Sequence, residues 1–467
     1  MKTARLTDFG STYTKITVLD MEKGKIIGFA KAHTTILTNV MEGFCLAQSE
    51  IDAQLGERVY THNLACSSAA GGLKMVAIGL VPALTAKAAR LAASSAGAKV
   101  MRTYSYELTD ADIPEIAGIG ADIILLSGGI DGGNKDVIVH NAQRIAQIEG
   151  VFSVLIAGNR SANQECAKIL ENAGKEVIIC ENVMPEFGKL NIDPAKDAIR
   201  RQFINNIVSA KGLDDAAAAM TDTIIPTPLA VYEALELLSR GAAGEAGLGE
   251  LMAYDLGGAT SDVYSMADGS PKGAKAYLSG ILEPFAKRSV EGDVGMRYSL
   301  EPLYELIAEA DPARLCRDFE LAEEDVKNWM EMCRGNPAIL PIGENARYAA
   351  IDEAFAALAI EISAARHVGH VDKVYTPAGE VLNQTGKDLT QVKYIIGSGG
   401  AVINAAEPAK ILGYGVYHPR DGNLLKPINP AFLLDRENCM AAMGLLGRIA
   451  PEMAIKIMKE KFTICTK

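Results

Sequence analysis

No two of the eight cysteines (Cys45, Cys66, Cys166, Cys180, Cys316, Cys333, Cys439 and Cys465) form a Cys-x-x-Cys pair. Their spacings suit neither a small disulfide framework nor a structural zinc site, which leaves reduced thiols in a cytoplasmic protein as the expectation. No apolar stretch follows Met1-Lys2-Thr3-Ala4-Arg5, as a secretory signal would require. No uncharged apolar run reaches the roughly 18 residues of a spanning helix, so no membrane partner is expected. A basic excess is missing too. The 46 Lys and Arg stand against 58 Asp and Glu, a net charge of −12, which argues against general nucleic-acid binding. The Gly-x-x-x-x-Gly-Lys-[Ser/Thr] loop, the dinucleotide fingerprint and the Gly-x-Ser-x-Gly elbow are all absent. His367 and His370 stand three apart with no third ligand in sight, so they are expected to be satisfied or solvated rather than metal-bound.

The chain does carry apolar content, 49% over 467 residues, enough for two to four domains with sizeable cores. Ala4–Asp8, Lys15–Asp20 and Ile26–Lys31 alternate and turn quickly, which predicts an antiparallel meander. A helix is expected over Ile51–Val59, followed by a break of small residues at Ser67–Gly72. Leu73–Val81, Val100–Glu107, Ala121–Leu126, Val151–Ala157 and Glu176–Cys180 predict strands, with helices at Thr85–Ala96 and Ala162–Ala173 between them. This is the pattern of a parallel α/β sheet. The part from 62 to 110 is a candidate insertion, for partner binding or as a core extension. Further on, 297–366 is mainly helical, Gln391–Gly397 is a late strand, and Pro430–Ile449 is helix-like.

One stretch repeats. Asp8-Phe9-Gly10-Ser11-Thr12-Tyr13-Thr14-Lys15 and Asp255-Leu256-Gly257-Gly258-Ala259-Thr260-Ser261-Asp262 share a strand, an Asp, an x-Gly step and small hydroxylated residues. Such hairpins direct amides and hydroxyls at phosphate oxygens, and glycine lets the backbone come close. An Asp at the strand end suits Mg²⁺, which prefers oxygen ligands and keeps its waters. Two hairpins on opposite lobes would hold the β- and γ-phosphates of ATP from both sides. Lys15 either contacts a phosphate or is a solvated strand residue, and Asp262 either serves the site or caps its turn. A third glycine run, Gly397-Ser398-Gly399-Gly400, ends a strand and gives a ribose or base bare backbone to lie on. Ser127-Gly128-Gly129-Ile130-Asp131-Gly132-Gly133 and Ala157-Gly158-Asn159-Arg160 have a similar texture, as ligand loops or as plain turns.

In this order, the Asp8 hairpin, Asp255 hairpin and Gly397–Gly400 loop resemble the phosphate-1, phosphate-2 and adenosine motifs of the actin/Hsp70/sugar-kinase superfamily. With Val290-Glu291-Gly292-Asp293-Val294-Gly295-Met296-Arg297, they resemble more narrowly the MutL family associated with adenosylcobalamin-dependent glutamate mutase, which is unrelated to the DNA mismatch-repair proteins of that name. The resemblance covers essentially the whole chain. It implies an α/β, two-lobed actin/Hsp70-like ATPase fold with duplicated ribonuclease H-like domains, at 1–245 and 246–467. It implies ATP and Mg²⁺ as cofactors, with Asp8 and Asp255 as metal-organising and catalytic carboxylates. Gly10, Ser11, Thr12 and Lys15 would meet one side of the phosphates, Gly257, Gly258 and Thr260 the other, and Gly397, Gly399 and Gly400 the adenosine. Glu291, Gly292 and Asp293 are given no defined role. The implied activity is ATP-dependent reactivation of a mutase holding damaged cofactor, with a weak or partner-stimulated ATPase. The alternatives are a small-molecule kinase of the same superfamily and a nucleotide-binding interaction protein with little turnover.

Overall fold

The computed structural model describes residues 2–10, 12–35, 38–68, 73–207, 212–272, 276–377 and 379–465. Contacts divide the chain into two units. One comprises Met1–Leu237, Ala242–Glu245 and Met440–Ile457; the other comprises Leu238–Gly241, Ala246–Cys439 and Met458–Lys467.

In the first unit, β1 (Thr3–Phe9), β2 (Tyr13–Asp20) and β3 (Lys25–His33) form the expected antiparallel meander. The first helix, α1, runs Val40–Leu55 rather than Ile51–Val59. It starts where Asn39 Oδ1 accepts the Met41 amide at 2.8 Å and stops at Gly56, whose φ of +71° suits glycine. Gly43 inside it weakens the helical signal in sequence. That glycine is needed, since a Cβ there would lie 2.4 Å from the His33 carbonyl oxygen. From α1 the chain enters β4 (His62–Ser67), parallel to β1.

A second sheet follows: β5 (Lys74–Gly79), α2 (Lys87–Ser95), β6 (Lys99–Ser105), α3 (Asp112–Ile119), β7 (Ile123–Leu126), α4 (Asp136–Ile145), β8 (Ser153–Ile156), α5 (Asn163–Asn172) and β9 (Glu176–Ile179). Its five strands are all parallel, in the order β6-β5-β7-β8-β9. The strand centres Val76, Ile78, Ile124, Leu126, Val154 and Ile156 are buried, as strands covered on both faces require. The 62–110 segment is therefore not an insertion in its own right. Its first strand belongs to the meander's sheet, and its later strands begin a larger parallel module that continues to Ile179. After α6 (Asp193–Ile207) and α7 (Leu213–Ala218), β10 (Ile225–Pro226) returns to lie parallel to β4, and α8 (Thr227–Arg240) follows. The first sheet thus reads β3-β2-β1-β4-β10.

The second unit repeats this plan. β11 (Leu251–Leu256), β12 (Ser261–Met266) and, after β13 (Ala276–Ser279), β14 (Ala286–Glu291) make an antiparallel meander. Helices α9 (Leu300–Ala310), α10 (Arg314–Asp318), α11 (Glu323–Gly335) and α12 (Ala349–His367) fill the expected helical region. β15 (His370–Thr376) and β16 (Gly379–Thr385) join β13 in a small separate sheet. β17 (Tyr394–Ser398) and β18 (Ala431–Leu434) then extend β11 in parallel. The order of these five strands, β14-β12-β11-β17-β18, matches that of the first unit, so the ribonuclease H-like plan is duplicated. Ala431–Leu434 corrects the first part of the helix-like reading of Pro430–Ile449, whose later part is helical at Met440–Gly447; a short apolar run does not distinguish strand from helix. Among the described residues no helix is long and apolar enough to cross a membrane.

Candidate functional site

Asp8 is the penultimate residue of β1, where the meander places it opposite Lys15 on β2 and Cys66 on β4. Its carboxylate is held from three sides. Thr227 Oγ1 donates to Oδ1 at 2.7 Å, Cys66 Sγ donates to the same oxygen at 3.5 Å, and Lys15 Nζ stands 3.9 Å from Oδ2. Lys15 thus lies against Asp8 instead of reaching into solvent. Burial, then the nearby Asp8 carboxylate, push the Cys66 thiol well above its ordinary range, so it stays a protonated donor. Gly10 closes the turn by donating its amide to the Tyr13 carbonyl at 3.1 Å, and a Cβ there would lie 2.6 Å from that oxygen. Thr12 is exposed, and its carbonyl accepts the Thr34 amide at 2.9 Å. Ser11 lies outside the described residues.

Thr227 is a functional candidate that sequence reasoning missed. Its signal is a hydroxyl between two prolines, Pro226-Thr227-Pro228, where a two-residue strand passes into α8. Only the return of β10 to the first sheet reveals that this hydroxyl faces Asp8.

In the second unit, the Asp255 hairpin closes through Gly257, which donates to the Thr260 carbonyl at 3.0 Å. A second segment grips this turn by its carbonyls. The Gly257 oxygen accepts from Met296 N at 3.0 Å, Gly258 from Arg297 N and Tyr298 N at 2.8 Å each, and Ala259 from Ser299 Oγ at 2.6 Å. Ser261 Oγ donates to the Val294 carbonyl at 3.0 Å, and Gly295 packs so closely that a Cβ would lie 2.6 Å from the Ala259 carbonyl carbon. With the carbonyls secured behind, no described residue accepts a hydrogen bond from the amides of Gly258, Ala259 or Thr260. Three bare amides in a tight turn make a concavity suited to an anion. Gly258 has no steric need to be glycine, since its nearest prospective Cβ contact is an ordinary 3.7 Å.

The grip is itself anchored. Arg297 donates to both Asp352 oxygens, Nη1 at 2.7 Å and Nη2 at 3.3 Å, while Trp329 Nε1 adds a third bond at 3.1 Å. Trp329 is fully buried and stacks on Tyr348 with ring centroids 5.2 Å apart. The stretch around Glu291 and Asp293, which sequence left without a role, is the start of this support. Glu291 and Asp293 pair with Arg366 at 3.0 and 2.7 Å, and the Gly292 carbonyl accepts Ser299 Oγ at 3.1 Å.

Asp262, opposite Asp255 in the register, is committed to Arg288, which donates to its Oδ1 from Nε at 2.7 Å and stands 2.6 Å away through Nη2. Burial opposes the charge on Arg288, but Asp262 and Tyr264 outweigh it and hold the guanidinium above its ordinary value. Asp262 therefore serves the fold. Asp255 is half-buried and sits beside Ser398 in the parallel register of β11 and β17. Gly399, at φ +89°, crosses the end of β11 so closely that a Cβ would lie 2.2 Å from the Leu256 oxygen. Gly397 leaves room for Val402 and Leu412, whereas Gly400 meets nothing nearer than 3.9 Å. The structure thus brings Asp255, Gly257, Gly258, Thr260, Gly397, Gly399 and Gly400 to neighbouring strand ends of one sheet.

His367 is buried and satisfied, as expected, between Ser289 Oγ at 2.7 Å and Ser265 Oγ at 2.8 Å. Among the described residues no three His, Cys, Asp or Glu side chains gather into a metal-holding group. A Mg²⁺ beside Asp8 or Asp255 would draw most of its ligands from water and phosphate, which is this ion's habit.

A family model described as "MutL protein" matches residues 5–462. "Protein MutL" from Clostridium tetanomorphum is 43% identical over 459 residues, spanning 97% of this chain and 98% of that protein. Among solved structures, a ligand-bound xylulose kinase from Lactobacillus acidophilus aligns over 100% of this chain and 93% of its own, at 10% identity and TM-score 0.37. A glycerol dehydratase reactivase aligns over 95% and 99%, at 9% identity and TM-score 0.34. Likenesses this weak assign no role.

Proposed function

This chain belongs to the MutL protein family, and we propose that it binds Mg²⁺-ATP and works as an ATP-dependent reactivating factor for an adenosylcobalamin-dependent glutamate mutase. The observation that carries the nucleotide reading is the second hairpin, whose carbonyls are all taken from behind and whose Gly258–Thr260 amides are left for an anion. In this reading Gly10, Ser11, Thr12 and Lys15 take one part of the phosphate chain, and Gly257, Gly258 and Thr260 take the other. Gly397, Gly399 and Gly400 lie against the adenosine. When bound, Mg²⁺ would neutralise phosphate charge. Asp8 would hold its waters, with Thr227 fixing the carboxylate's orientation, and Asp255 would hold the ion's waters or orient the attacking water.

Reactivation follows if the ATP and ADP states differ in affinity for a mutase that carries damaged cobalamin, since only differential affinity moves such an equilibrium. The mutase itself comes from the family resemblance. The same reading places the protein in the cytoplasm and makes it a slow ATPase that its partner accelerates.

A small-molecule kinase would need a base at the acceptor hydroxyl. Asp262 is taken by Arg288, so that reading rests on Asp255 alone. The test is ATP turnover by the full chain, alone and with inactivated glutamate mutase. Stimulation by the mutase supports the proposal. ATP-dependent phosphorylation of a sugar or other metabolite would replace it with the kinase, and binding without turnover in either setting would leave a nucleotide-binding interaction protein.

A further inference from the structure

The parallel module within the first unit contributes nothing to the site described above, yet its strand order singles out one edge. In β6-β5-β7-β8-β9 the chain moves outward from β5 in both directions, so the switch point lies between β5 and β7. In open parallel sheets the carboxyl ends of the strands at a switch point are where ligands bind.

This edge is built rather than merely left open. The loop after β7, Ser127–Asn134, is clamped by two buried asparagines, Asn159 at 0% exposure and Asn182 at 3%. Asn159 Nδ2 donates to the Gly133 and Asn134 carbonyls at 3.0 and 3.1 Å, and its Oδ1 accepts the Gly132 amide at 3.0 Å. Asn182 Nδ2 donates to the Gly129 carbonyl and to Asp131 Oδ1, both at 3.0 Å. The Asn159 amide holds the Gly128 carbonyl at 3.0 Å. As in the Asp255 hairpin, the carbonyls are taken from one side, and no described residue accepts from the amides of Gly128, Gly129 or Ile130. Gly128 and Gly129 are buried, while Ile130 is 38% exposed at the surface of the same loop.

Two further features stand at the same edge. Tyr106, just beyond β6, is 61% exposed and is held at φ +66° by buried Asn141, whose Nδ2 donates to the Tyr106 carbonyl at 2.9 Å. A bulky residue in that conformation costs about 1–3 kcal/mol, and such strain collects at functional sites. The chain leaving β5 makes a π-turn at Pro82–Ala86, another feature common at such sites. β6 and β7 flank β5, so Tyr106 and the glycine loop stand two strand spacings apart, about 10 Å.

We propose that this edge is a second binding site, for a phosphorylated small molecule carrying a flat ring, a mononucleotide in its chemistry. The phosphate is received by the amides of Gly128, Gly129 and Ile130 near the exposed Arg160, and the ring lies along the apolar faces of Ile130 and Tyr106. Adenylate and flavin mononucleotide share this chemistry, so both are probes, with inorganic phosphate as the control.

The test is hydrogen exchange on the full chain with each probe, alongside calorimetric titration of wild type, Ile130→Glu and Asp8→Ala. Ile130 is 38% exposed, so its replacement leaves the core intact. Expected is slowed exchange in the peptide covering 127–134 with at least one mononucleotide. Affinity should fall at least tenfold in Ile130→Glu and stay unchanged in Asp8→Ala. Absence of protection at millimolar probe overturns the proposal. So does protection confined to the Asp8 and Asp255 hairpins, or inorganic phosphate binding as tightly as either nucleotide.

Discussion

Arg297→Met tests the idea that the second hairpin is shaped from behind. The arginine is 11% exposed and its partner Asp352 is 7% exposed at the side chain, with the bidentate pair at 2.7 and 3.3 Å. Removing one member of a buried pair strands the other and costs about 3–5 kcal/mol. That is a large share of the roughly 5–15 kcal/mol that holds a domain folded. Asp352 would keep only its bond from Trp329 Nε1. Trp329 is the sole tryptophan of the chain, so its emission reports unfolding of this unit alone. Urea denaturation followed by that emission should show the full loss. The double variant Arg297→Met/Asp352→Asn, which keeps an acceptor for Trp329 but removes the stranded charge, should recover about 2 kcal/mol. ATP affinity should fall in both variants, because the Met296–Ser299 grip on Gly257, Gly258 and Ala259 is loosened in both. A single variant within about 1 kcal/mol of wild type, or a double variant no more stable than the single, would refute this reasoning.

Gly258→Ala should fold with wild-type stability to within about 1 kcal/mol, since its Cβ has room. Its ATP affinity, read by calorimetry, should nonetheless drop about tenfold, about 1.4 kcal/mol, because the methyl stands where phosphate approaches. Thr227→Val removes a hydrogen bond to a carboxylate, of the order of 1.5–3 kcal/mol, and should raise the Mg²⁺ concentration needed for half-maximal ATP binding while Thr227→Ser restores it. Lys387, buried and facing Lys287, has its pKa lowered to about 7, while its amine donates to the Pro284 and Phe285 carbonyls at 2.9 and 2.7 Å. Between that value and the unfolded one near 10.4, the unfolded chain binds the extra proton, so this lysine's contribution to stability rises with pH. The stability difference between wild type and Lys387→Met should therefore shift in favour of wild type by up to about 1.4 kcal/mol per unit from pH 7 to 10. A flat difference would show that the lysine is charged in both states.

The hairpins were legible because their signals are local. Alternation, an Asp at the strand end and an x-Gly step lie within a few residues, and the same pattern recurs at Asp8 and Asp255. What was not legible depends on distant partners. Thr227 reaches Asp8 across 219 positions, and no pattern near either residue states that contact. Asp262 looks as available as Asp255 until Arg288 on β14 is placed beside it. The parallel strands were read one by one, but the boundary at residue 110 cut their sheet, because nothing local tells an edge strand from the end of a module. Ala431–Leu434 is four apolar residues whose strand character comes from pairing with β17.

Release of damaged cofactor bears most directly on the proposed function. Glutamate mutase loaded with cobalamin lacking its adenosyl group is mixed with the full chain, and free cobalamin is followed by absorbance. On the proposed function, release is expected with Mg²⁺-ATP, as is recovery of mutase activity on adding adenosylcobalamin, and neither is expected with Asp8→Ala or without nucleotide. Equal release by wild type and Asp8→Ala, or no release while ATP is consumed, would contradict it.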